Sequence, residues 1–503
     1  MLRKKMAVVP ALLLLLAGMY VSCAKSAKDS PEERPKITIL TSINVDTEGT
    51  TVNDNDYINY IRQAVGVDIQ FINDGTTNYR QKMNTMLASN EPFDALMLMA
   101  NYQRIDLTRW ASEGMLLELD EYLPKHAPLL LSSLKQAAWE VCKYNGKTFA
   151  VPFQRYDSTP YMAFLRKDWL DNLGINPATD LNTIDDWYRM LKRFATDDPD
   201  RNGVSDTYGM ISTDSGAHYT NWALQDSFGA ARAKFVNEEL LPNYILPEYR
   251  EWLKFMNRLY KEKILDPEFI ENGGGKMWEK IATRKYGMFY YFWGMQEYLS
   301  KGLSRDELVA VPPPKQADGS EAQYLYTSPN RHMMALTANC GNVEAVLKFF
   351  NWTCTEEGAV FLYAGLEGKD YDIANNKIVI RPDRRGKNLG WRQLTLGVEQ
   401  PNVDQKPIKS ILTQSFGDLG MEHLAMATKY GGYNELELYC PVFEELSQYD
   451  FEKLVSEFTD KAITGVINID AEWDNYVRNF RRMGGDRKIE LSTKWYNETY
   501  SKK

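Results

Sequence analysis

Apolar positions in the first part of the chain alternate between short continuous runs and helical spacings. Residues 36–40 and 67–72 form short β-type runs and residues 93–99 a nearly continuous apolar run, and each has the length of a β-strand. Between them, residues 56–65 and 79–89 place apolar side chains at the spacing of an amphipathic helix. The order strand, helix, strand, helix, strand predicts a parallel sheet that is covered by helices on both faces.

A second α/β pattern follows further along the chain. Residues 146–158 predict a strand that leads through Pro152 into a polar and aromatic segment, and residues 161–175 predict a strand followed by a helix closed at Gly174. Residues 286–294, with the sequence YGMFYYFWG, predict a very aromatic strand. The run HMMALT at 332–337 predicts a return to the first unit.

The two patterns indicate two α/β lobes that the chain connects near residues 155 and 330. We expect one lobe to contain residues 36–155 plus 328–400, and the other to contain residues 156–327 plus 401–503. Two crossings between lobes are typical of a hinged protein that closes on a ligand in the cleft between them.

Composition narrows the class of ligand. The 503 residues carry a formal net charge of −9, which argues against a nucleic-acid binder because phosphate contacts need a basic face. The chain contains 30 Tyr, 20 Phe and 12 Trp, and an excess of Tyr and Trp suits a cleft that binds its ligand by stacking.

The amino terminus predicts export. Basic residues 3–5 precede an apolar run at 6–18, which is too short for a comfortable membrane span, so residues 1–22 are predicted to be a signal peptide. Cys23 then resembles the lipidated cysteine of a bacterial lipobox, although Tyr20 departs from the usual pattern. We expect a lipid anchor on Cys23 and a flexible tether at 23–35. The alternative is ordinary secretion with Cys23 unmodified.

The remaining cysteines do not reveal a site. Export permits disulfides, and four cysteines allow three pairings, but none has CxxC spacing. Buried thiols are the favoured interpretation for Cys142, Cys340, Cys354 and Cys440.

The stretch DDPDRNGVSDTYG at 197–209 spaces oxygen side chains at every second residue around Gly203. This is the odd-position pattern of an EF-hand loop, and such hard oxygen donors suit Ca²⁺. The predicted ligands are Asp198, Asp200, Asn202, the Val204 carbonyl and Asp206. Gly209 stands where an EF-hand has a bidentate Glu, and the loop carries no nucleophile or base, so a structural calcium ion is predicted. The alternative is a metal-free Asp/Asn/Gly turn.

Catalytic motifs are scarce. The histidines at 126, 218, 332 and 423 are widely separated, and the chain has no HExxH, GxSxG or phosphate-loop motif. The glycines at 273–275 are interpreted as a flexible turn. A carboxylate pair of a secreted carbohydrate-active enzyme remains the alternative function, since carboxylate separation is a three-dimensional quantity. An adhesin or scaffold is disfavoured by the absence of internal repeats.

Several stretches together resemble a known family. They are residues 146–175, the loop at 197–209, NWTCTEEGAVFLYAGLEGKDYDI at 351–373 and the terminal segment 460–489. The chain is similar to the substrate-binding lipoproteins of bacterial ABC importers, extracellular solute-binding family 1, and to the branch that includes alginate-oligosaccharide-binding proteins. This resemblance implies a type II periplasmic-binding-protein fold, a membrane permease as partner and an extracytoplasmic location. In that family an acidic residue often follows the last Asp of the calcium loop, and here Thr207 stands there.

Candidate ligand contacts follow from the rule that ligands of open α/β sheets bind beyond the carboxyl ends of strands. The predicted contacts are Asn101, Tyr102, Tyr156, Asp157, Trp222, Tyr290, Trp293, Tyr326 and Arg331. Aromatic rings stack on the C–H faces of sugars, and polar side chains bond their hydroxyls. The alternative for each aromatic residue is core packing. We therefore expect a monomeric, non-catalytic receptor for an oligosaccharide of unspecified charge.

Overall fold

The computed structural model describes residues 34–42, 50–73, 79–89, 91–99, 104–153, 161–212, 222–291, 293, 302–326, 329–330, 332–384 and 406–501. The strands are β1 (Lys36–Thr41), β2 (Asp68–Asn73), β3 (Ala95–Met99), β4 (Lys143–Tyr144), β5 (Lys147–Thr148), β6 (Ala150–Phe153), β7 (Met162–Arg166), β8 (Tyr208–Met210), β9 (Lys234–Val236), β10 (Glu239–Leu241), β11 (Tyr286–Tyr291), β12 (Leu308–Ala310), β13 (Tyr324–Tyr326), β14 (His332–Leu336), β15 (Tyr371–Ala374), β16 (Lys377–Ile380) and β17 (Gly431–Tyr433).

The helices of the first half of the chain are α1 (Asp56–Val65), α2 (Tyr79–Ala88), α3 (Arg104–Ser112), α4 (Leu123–His126), α5 (Pro128–Ser133), α6 (Gln136–Glu140), α7 (Lys167–Leu173), α8 (Pro177–Asp180), α9 (Ile184–Thr196) and α10 (Trp222–Ser227). Those of the second half are α11 (Pro247–Lys261), α12 (Gly274–Ala282), α13 (Val343–Trp352), α14 (Glu356–Ala364), α15 (Lys406–Tyr430), α16 (Glu435–Tyr439), α17 (Phe451–Thr464), α18 (Ile469–Phe480) and α19 (Asp486–Trp495).

The first sheet has the strand order β2-β1-β3-β14-β6. Strands β1, β2 and β3 are parallel, and β14 runs antiparallel to both of its neighbours, β3 and β6. The apolar run of β3 is buried along almost its whole length. This burial explains why its residues do not alternate between apolar and polar, since helices cover both faces of the sheet.

The second sheet has the strand order β12-β7-β11-β8. Strand β11 is parallel to β8 and antiparallel to β7, which is also antiparallel to β12. Helix α9 packs closely on this sheet, because a Cβ atom added at Gly287 of β11 would lie 2.2 Å from the ring of Phe194. Glycine at 287 therefore lets the helix approach the strand.

Two short segments connect the sheets. The chain leaves the first sheet at Phe153 and enters the second at Met162, and it returns between Tyr326 and His332. These intervals contain positions 155 and 330, where the sequence predicted the crossings. His332 lies opposite both Met99 and Phe153 in the first sheet. The connections therefore leave and enter the first sheet at the edge where β3 and β6 end.

Helix α14 and the hairpin that follows it contact both hydrophobic cores. Phe361 and Leu362 of α14 belong to the first hydrophobic core, whereas Tyr363 and Ala364 belong to the second, together with Ile380 of β16. The hairpin of β15 and β16 then binds α15, where the side chain of Gln414 accepts from the Ile380 N–H at 3.0 Å and donates to the Ile378 carbonyl at 2.8 Å. One helix thus contributes to both cores. The predicted lobe boundary at residue 400 lies outside the described residues and stays a prediction.

A third connection was not predicted. Strand β17 pairs in parallel with β13, which leads to the return crossing. Five residues after the end of β17 the chain contacts the first lobe, because the Arg104 guanidinium donates to the carbonyls of Leu438 at 2.9 Å and Cys440 at 3.4 Å. Leu438 is itself buried in the first core. Residues 431–440 therefore form a further link between the lobes.

The cysteines after the amino-terminal segment are thiols in this structure. Cys142 and Cys354 are buried, and Cys340 and Cys440 are half-buried. Burial raises the pKa of Cys340 and of Cys354 to about 12, so both stay protonated at neutral pH and are poor nucleophiles. Within the described ranges, no helix is long and apolar enough to cross a membrane.

Candidate ligand cleft and calcium loop

The carboxyl ends of the parallel strands define a ligand-binding edge on each sheet. In the first sheet, β1, β2 and β3 end at Thr41, Asn73 and Met99. In the second sheet, β8 and β11 end at Met210 and Tyr291. Open α/β sheets bind ligands beyond such edges.

Most predicted ligand contacts are in segments that follow these edges. Asn101, Tyr102, Tyr156, Asp157 and Arg331 lie outside the described residues. Trp222 is the first residue of α10 and Tyr326 is the last residue of β13, but their side chains also fall outside the description. These seven contacts stay predictions.

Two predicted contacts need correction. The side chains of Tyr290 and Trp293 are only 1% and 0% exposed, and both belong to the second hydrophobic core. Trp293 packs against Phe416 with ring centres 4.7 Å apart, and burial raises the pKa of Tyr290 well above its ordinary value. The aromatic run of β11 misled the prediction, because a strand covered on both faces fills its core with the same large side chains that bind sugars.

The next residue on β11 is better placed for ligand contact. Tyr291 is half-buried at the carboxyl end of β11, and its ring centre is 5.3 Å from that of half-buried Tyr161 and 4.5 Å from that of Trp278. Tyr161 precedes Met162, which pairs directly with Tyr291. Tyr161 was not among the predicted contacts, and side-chain alternation along a strand places Tyr291 opposite to Tyr290.

A charged group lies near the edge of the first sheet. Arg80 and Asp106 are in the first turns of α2 and α3, the helices that follow β2 and β3. The Arg80 guanidinium donates to Asp106 at 2.9 Å and 3.0 Å, and Arg109 donates to the same carboxylate at 3.2 Å. Asp106 is 1% exposed, whereas the Arg80 side chain is 57% exposed. A buried carboxylate therefore orients an exposed cation that the sequence analysis did not single out.

The predicted calcium loop is a compact turn between α9 and β8. Asp198 has φ of 46°, Arg201 has φ of 57° and Gly203 has φ of 77°, so the backbone enters the left-handed region three times. The carboxylate of Asp198 accepts from the N–H groups of Asn202 and Gly203, each at 3.1 Å. Asn202 Oδ1 accepts from the Val204 N–H at 2.7 Å.

The carboxylates of the loop have perturbed pKa values, which bear on cation binding. Burial raises the pKa of Asp200, and the carboxylates of Asp198 and Asp206 raise it further. Asp206 pairs with the Lys285 ammonium at 2.8 Å, and this bond is the main reason that its pKa is lowered. Its other oxygen, Oδ1, is shielded from solvent and accepts no hydrogen bond from the described residues. The donor set fits a hard divalent cation in its chemistry.

The acidic side chains of the loop do not converge on one point as in a formed metal site. Among the residues that the structure describes, no group of three or more His, Cys, Asp or Glu side chains is arranged to hold a metal ion. The side chain of Asn202 donates to Asp200 at 2.9 Å, so this carboxylate oxygen is engaged within the loop. Calcium binding would require such internal contacts to rearrange.

Comparison with known proteins identifies the family of this chain. Residues 54–360 match the family of bacterial extracellular solute-binding proteins. Lipoprotein LipO of Bacillus subtilis is 21% identical over 522 residues, covering 99% of each chain. The fructooligosaccharide ABC transporter substrate-binding protein FusA of Streptococcus pneumoniae is 21% identical over 495 residues, covering 88% of this chain and 87% of FusA.

Solved structures agree with this match. FusA with kestose has a TM-score of 0.69, and a FusA EF-hand mutant with fructo-nystose has a TM-score of 0.68; each is 19% identical and covers 93% of this chain and 100% of FusA. The alginate-binding protein AlgQ2, solved without calcium ion, has a TM-score of 0.64 at 16% identity and covers 94% of this chain and 100% of AlgQ2.

These findings confirm the predicted two-lobed α/β fold of periplasmic binding proteins. They also decide against the enzyme alternative, because the matched family consists of solute-binding proteins. An extracytoplasmic location follows from the same match. The chain therefore belongs to the family of bacterial extracellular solute-binding proteins.

Proposed function

We propose that this protein captures an oligosaccharide in the cleft between its lobes and delivers it to the permease of an ABC transporter. The observation that carries the proposal is the pair of half-buried rings, Tyr161 and Tyr291, at the carboxyl end of β11 in a solute-binding fold. Aromatic rings at such an edge suit the C–H faces of sugars. The names of FusA and AlgQ2 describe binding of carbohydrate, which supports the same ligand class.

The proposed mechanism is closure without chemistry. A ligand that contacts both lobes favours the closed state by the difference between its affinities for the two states. Tyr161 and Tyr291 of the second lobe would supply stacking, and Arg80 of the first lobe would donate hydrogen bonds to hydroxyls or to a carboxylate. No bond of the sugar breaks in this cycle.

A screen of thermal unfolding against oligosaccharides tests the proposal. The panel contains kestose, alginate oligosaccharides, oligogalacturonates and human milk oligosaccharides, each incubated with pure protein and recovered for chromatography. We expect at least one sugar to raise the unfolding temperature and to be recovered intact. Stabilisation by none of the sugars, or cleavage of the stabilising sugar, would contradict the proposal. A Tyr161→Ala/Tyr291→Ala variant should lose the response.

We further propose that the loop at 198–206 binds one calcium ion that stabilises the second lobe. Three carboxylates, one amide oxygen and one carbonyl are the ligand types that Ca²⁺ prefers. Burial, and then the neighbouring carboxylates of Asp198 and Asp206, raise the pKa of Asp200, and a bound cation would favour its ionised form. The solved EF-hand mutant of FusA is consistent with an ion in a relative. Thr207 adds no carboxylate, so we expect weaker binding than in a loop with an acidic residue there.

We also propose that the protein is tethered to the membrane by a lipid on Cys23 and acts as a monomer. The basic and apolar amino-terminal run and the full-length similarity to a lipoprotein support the anchor. Replacing Cys23 with Ser should release the protein from the membrane fraction of expressing cells into the soluble exported fraction. Retention of the variant in the membrane fraction would exclude a lipid on this residue.

A further inference from the structure

Three elements at the boundary of the lobes meet at one arginine. The Arg232 guanidinium donates from Nε to Asp226 of α10 at 3.0 Å, from Nη2 to the Gln323 side chain at 2.6 Å, and from Nη1 to the Tyr433 carbonyl at 2.6 Å. The Asp226 carboxylate also accepts from the Gln323 N–H at 2.7 Å. We call Arg232, Asp226, Gln323 and the Tyr433 carbonyl the Arg232 clasp.

The clasp joins the strands that connect the lobes. Gln323 directly precedes β13, which leads to the return crossing and into the first sheet. Tyr433 ends β17, and the same segment reaches the first core at Leu438. Arg104 holds that segment from the first lobe through the carbonyls of Leu438 and Cys440, whereas Arg232 holds it from the second.

The clasp combines a buried carboxylate with a half-buried guanidinium. The Asp226 side chain is 2% exposed and that of Arg232 is 32% exposed, so the carboxylate depends on Arg232 for its counter-charge. A Cβ atom added at Gly432 would lie 2.2 Å from the Gln323 Oε1 atom, which is the acceptor for Arg232. Glycine at 432 therefore leaves the space in which this acceptor lies.

The clasp also fixes helix α10, whose first residue is Trp222. Asp226 lies within α10, so the guanidinium links this helix directly to both connecting strands. Charge-assisted bonds to three separate elements hold their relative positions more firmly than one bond could. The guanidinium therefore joins α10 to the two strands that connect the lobes.

We propose that Arg232 is a positioning residue that couples ligand contact at α10 to closure of the two lobes. This inference rests on the proposed function, since it requires a ligand that bridges the lobes. Without the clasp, the closed arrangement becomes a smaller fraction of the ensemble, and the apparent affinity falls by that fraction. Because the clasp does not need to touch the sugar, its loss should act on the lifetime of the complex.

The experiment uses the full chain and the sugar that gives the largest stabilisation in the screen. Arg232→Gln alone leaves the Asp226 carboxylate buried without its cation, so the main variant is Asp226→Asn/Arg232→Gln, with Arg232→Lys as the conservative variant. The control is Arg166→Gln/Asp168→Asn, in which one partner, Arg166, is likewise only 2% exposed; Arg166 donates to Asp168 at 2.8 Å and to the Arg284 carbonyl at 3.0 Å. Arg166 ends β7, away from the edge at Tyr291.

Surface plasmon resonance should give at least a tenfold faster dissociation for the clasp variant, with an association rate within threefold of wild type. Arg232→Lys should be intermediate, and the control should dissociate like wild type. Unchanged dissociation in the clasp variant, or an equal loss in the control, would overturn the proposal. A structural role alone would lower the unfolding temperature of both double variants without separating their dissociation rates.

Hydrogen exchange of the ligand-free protein separates this inference from the proposed function. The clasp variant should exchange faster than the control in residues 222–227, 324–326 and 431–433 together. If no sugar binds wild type, the proposed function fails, and coordinated exchange still supports the mechanical link. If exchange in these three segments is unchanged in the clasp variant, the proposed link between them is contradicted, whether or not a sugar binds.

Discussion

Replacing Asp200 with Asn gives a signed test of the calcium loop. The substitution keeps one carbonyl oxygen but removes one of three carboxylate charges, which are those of Asp198, Asp200 and Asp206. In the metal-free protein, burial is the first cause that raises the pKa of Asp200, followed by contacts with its acidic neighbours. The ionised form of this group is therefore disfavoured by folding, and a cation is needed to reverse that effect.

The sign of the effect depends on calcium. A carboxyl group whose pKa is higher in the folded than in the unfolded protein reduces stability once the pH rises through those values. At pH 7 with a chelator, Asp200→Asn should therefore unfold at the same temperature as wild type or at a higher one. With calcium at 100 times the dissociation constant, linkage stabilises wild type by about 2.7 kcal/mol. A domain of about 150–250 residues gains roughly 2–4 °C per kcal/mol, so we expect the unfolding temperature of the second lobe to rise by about 5–11 °C.

The variant should lose a large part of that rise. A tenfold lower affinity removes about 1.4 kcal/mol of linked stabilisation once calcium is in excess. The assay is thermal unfolding at pH 7 with EDTA and then with increasing calcium, supported by calorimetric titration. Asp171→Asn is the matched control, because Asp171 is an exposed carboxylate of the same lobe that pairs with Lys167 at 2.7 Å outside the loop.

Two results would refute this reasoning. If calcium does not change the unfolding temperature of wild type, the loop is the metal-free turn that its internal hydrogen bonds already allow. If Asp200→Asn lowers the unfolding temperature equally with EDTA and with calcium, the carboxylate stabilises the turn itself through its contacts with Asn202. Only a difference that depends on calcium supports ion binding.

Three further predictions test the cleft and the second lobe. Trp222→Ala should weaken sugar affinity at least tenfold, about 1.4 kcal/mol, without a change in fold; unchanged affinity by calorimetry would remove Trp222 from the site. Trp293→Ala should destabilise the protein by about 3–5 kcal/mol because it empties a core position, and chemical denaturation would measure this loss. The hydrogen bond from Tyr188, aided by Lys192, lowers the pKa of Glu262 from 4.5 to about 2. Glu262→Gln should therefore lower the unfolding temperature at pH 7, and the difference should shrink as the pH falls below 4.5 towards 2.

The strands and the lobes were largely predictable because their signals are local. The short β-type run at 36–40 predicted β1. The nearly continuous apolar run at 93–99 predicted β3, since a strand buried on both faces is apolar throughout. Helix α9 begins at a cap formed by neighbouring residues, because Thr183 makes the full capping box with Asp186. Both features depend on residues that are near one another in the chain.

The ligand contacts were less predictable because local sequence does not encode which side of a strand faces the cleft. Tyr290 and Tyr291 are adjacent and chemically identical, yet the first is buried in the core and the second is half-buried at the edge. The register that decides between them is the pairing of Tyr291 with Met162, which is distant in the sequence. Aromatic content alone therefore favours a binding cleft but does not identify its members.

The third connection between the lobes shows why long-range polar contacts are the hardest feature to predict and also an informative one. Arg232 is separated from Gln323 by 91 residues and from Tyr433 by 201 residues, and no periodicity relates them. Each bond becomes visible only when the fold brings three elements together. A half-buried guanidinium with three acceptors has few alternative arrangements, because leaving its buried carboxylate partner unpaired is costly. In the proposed closure, the positions of the two lobes therefore depend on this side-chain geometry as well as on the crossing strands.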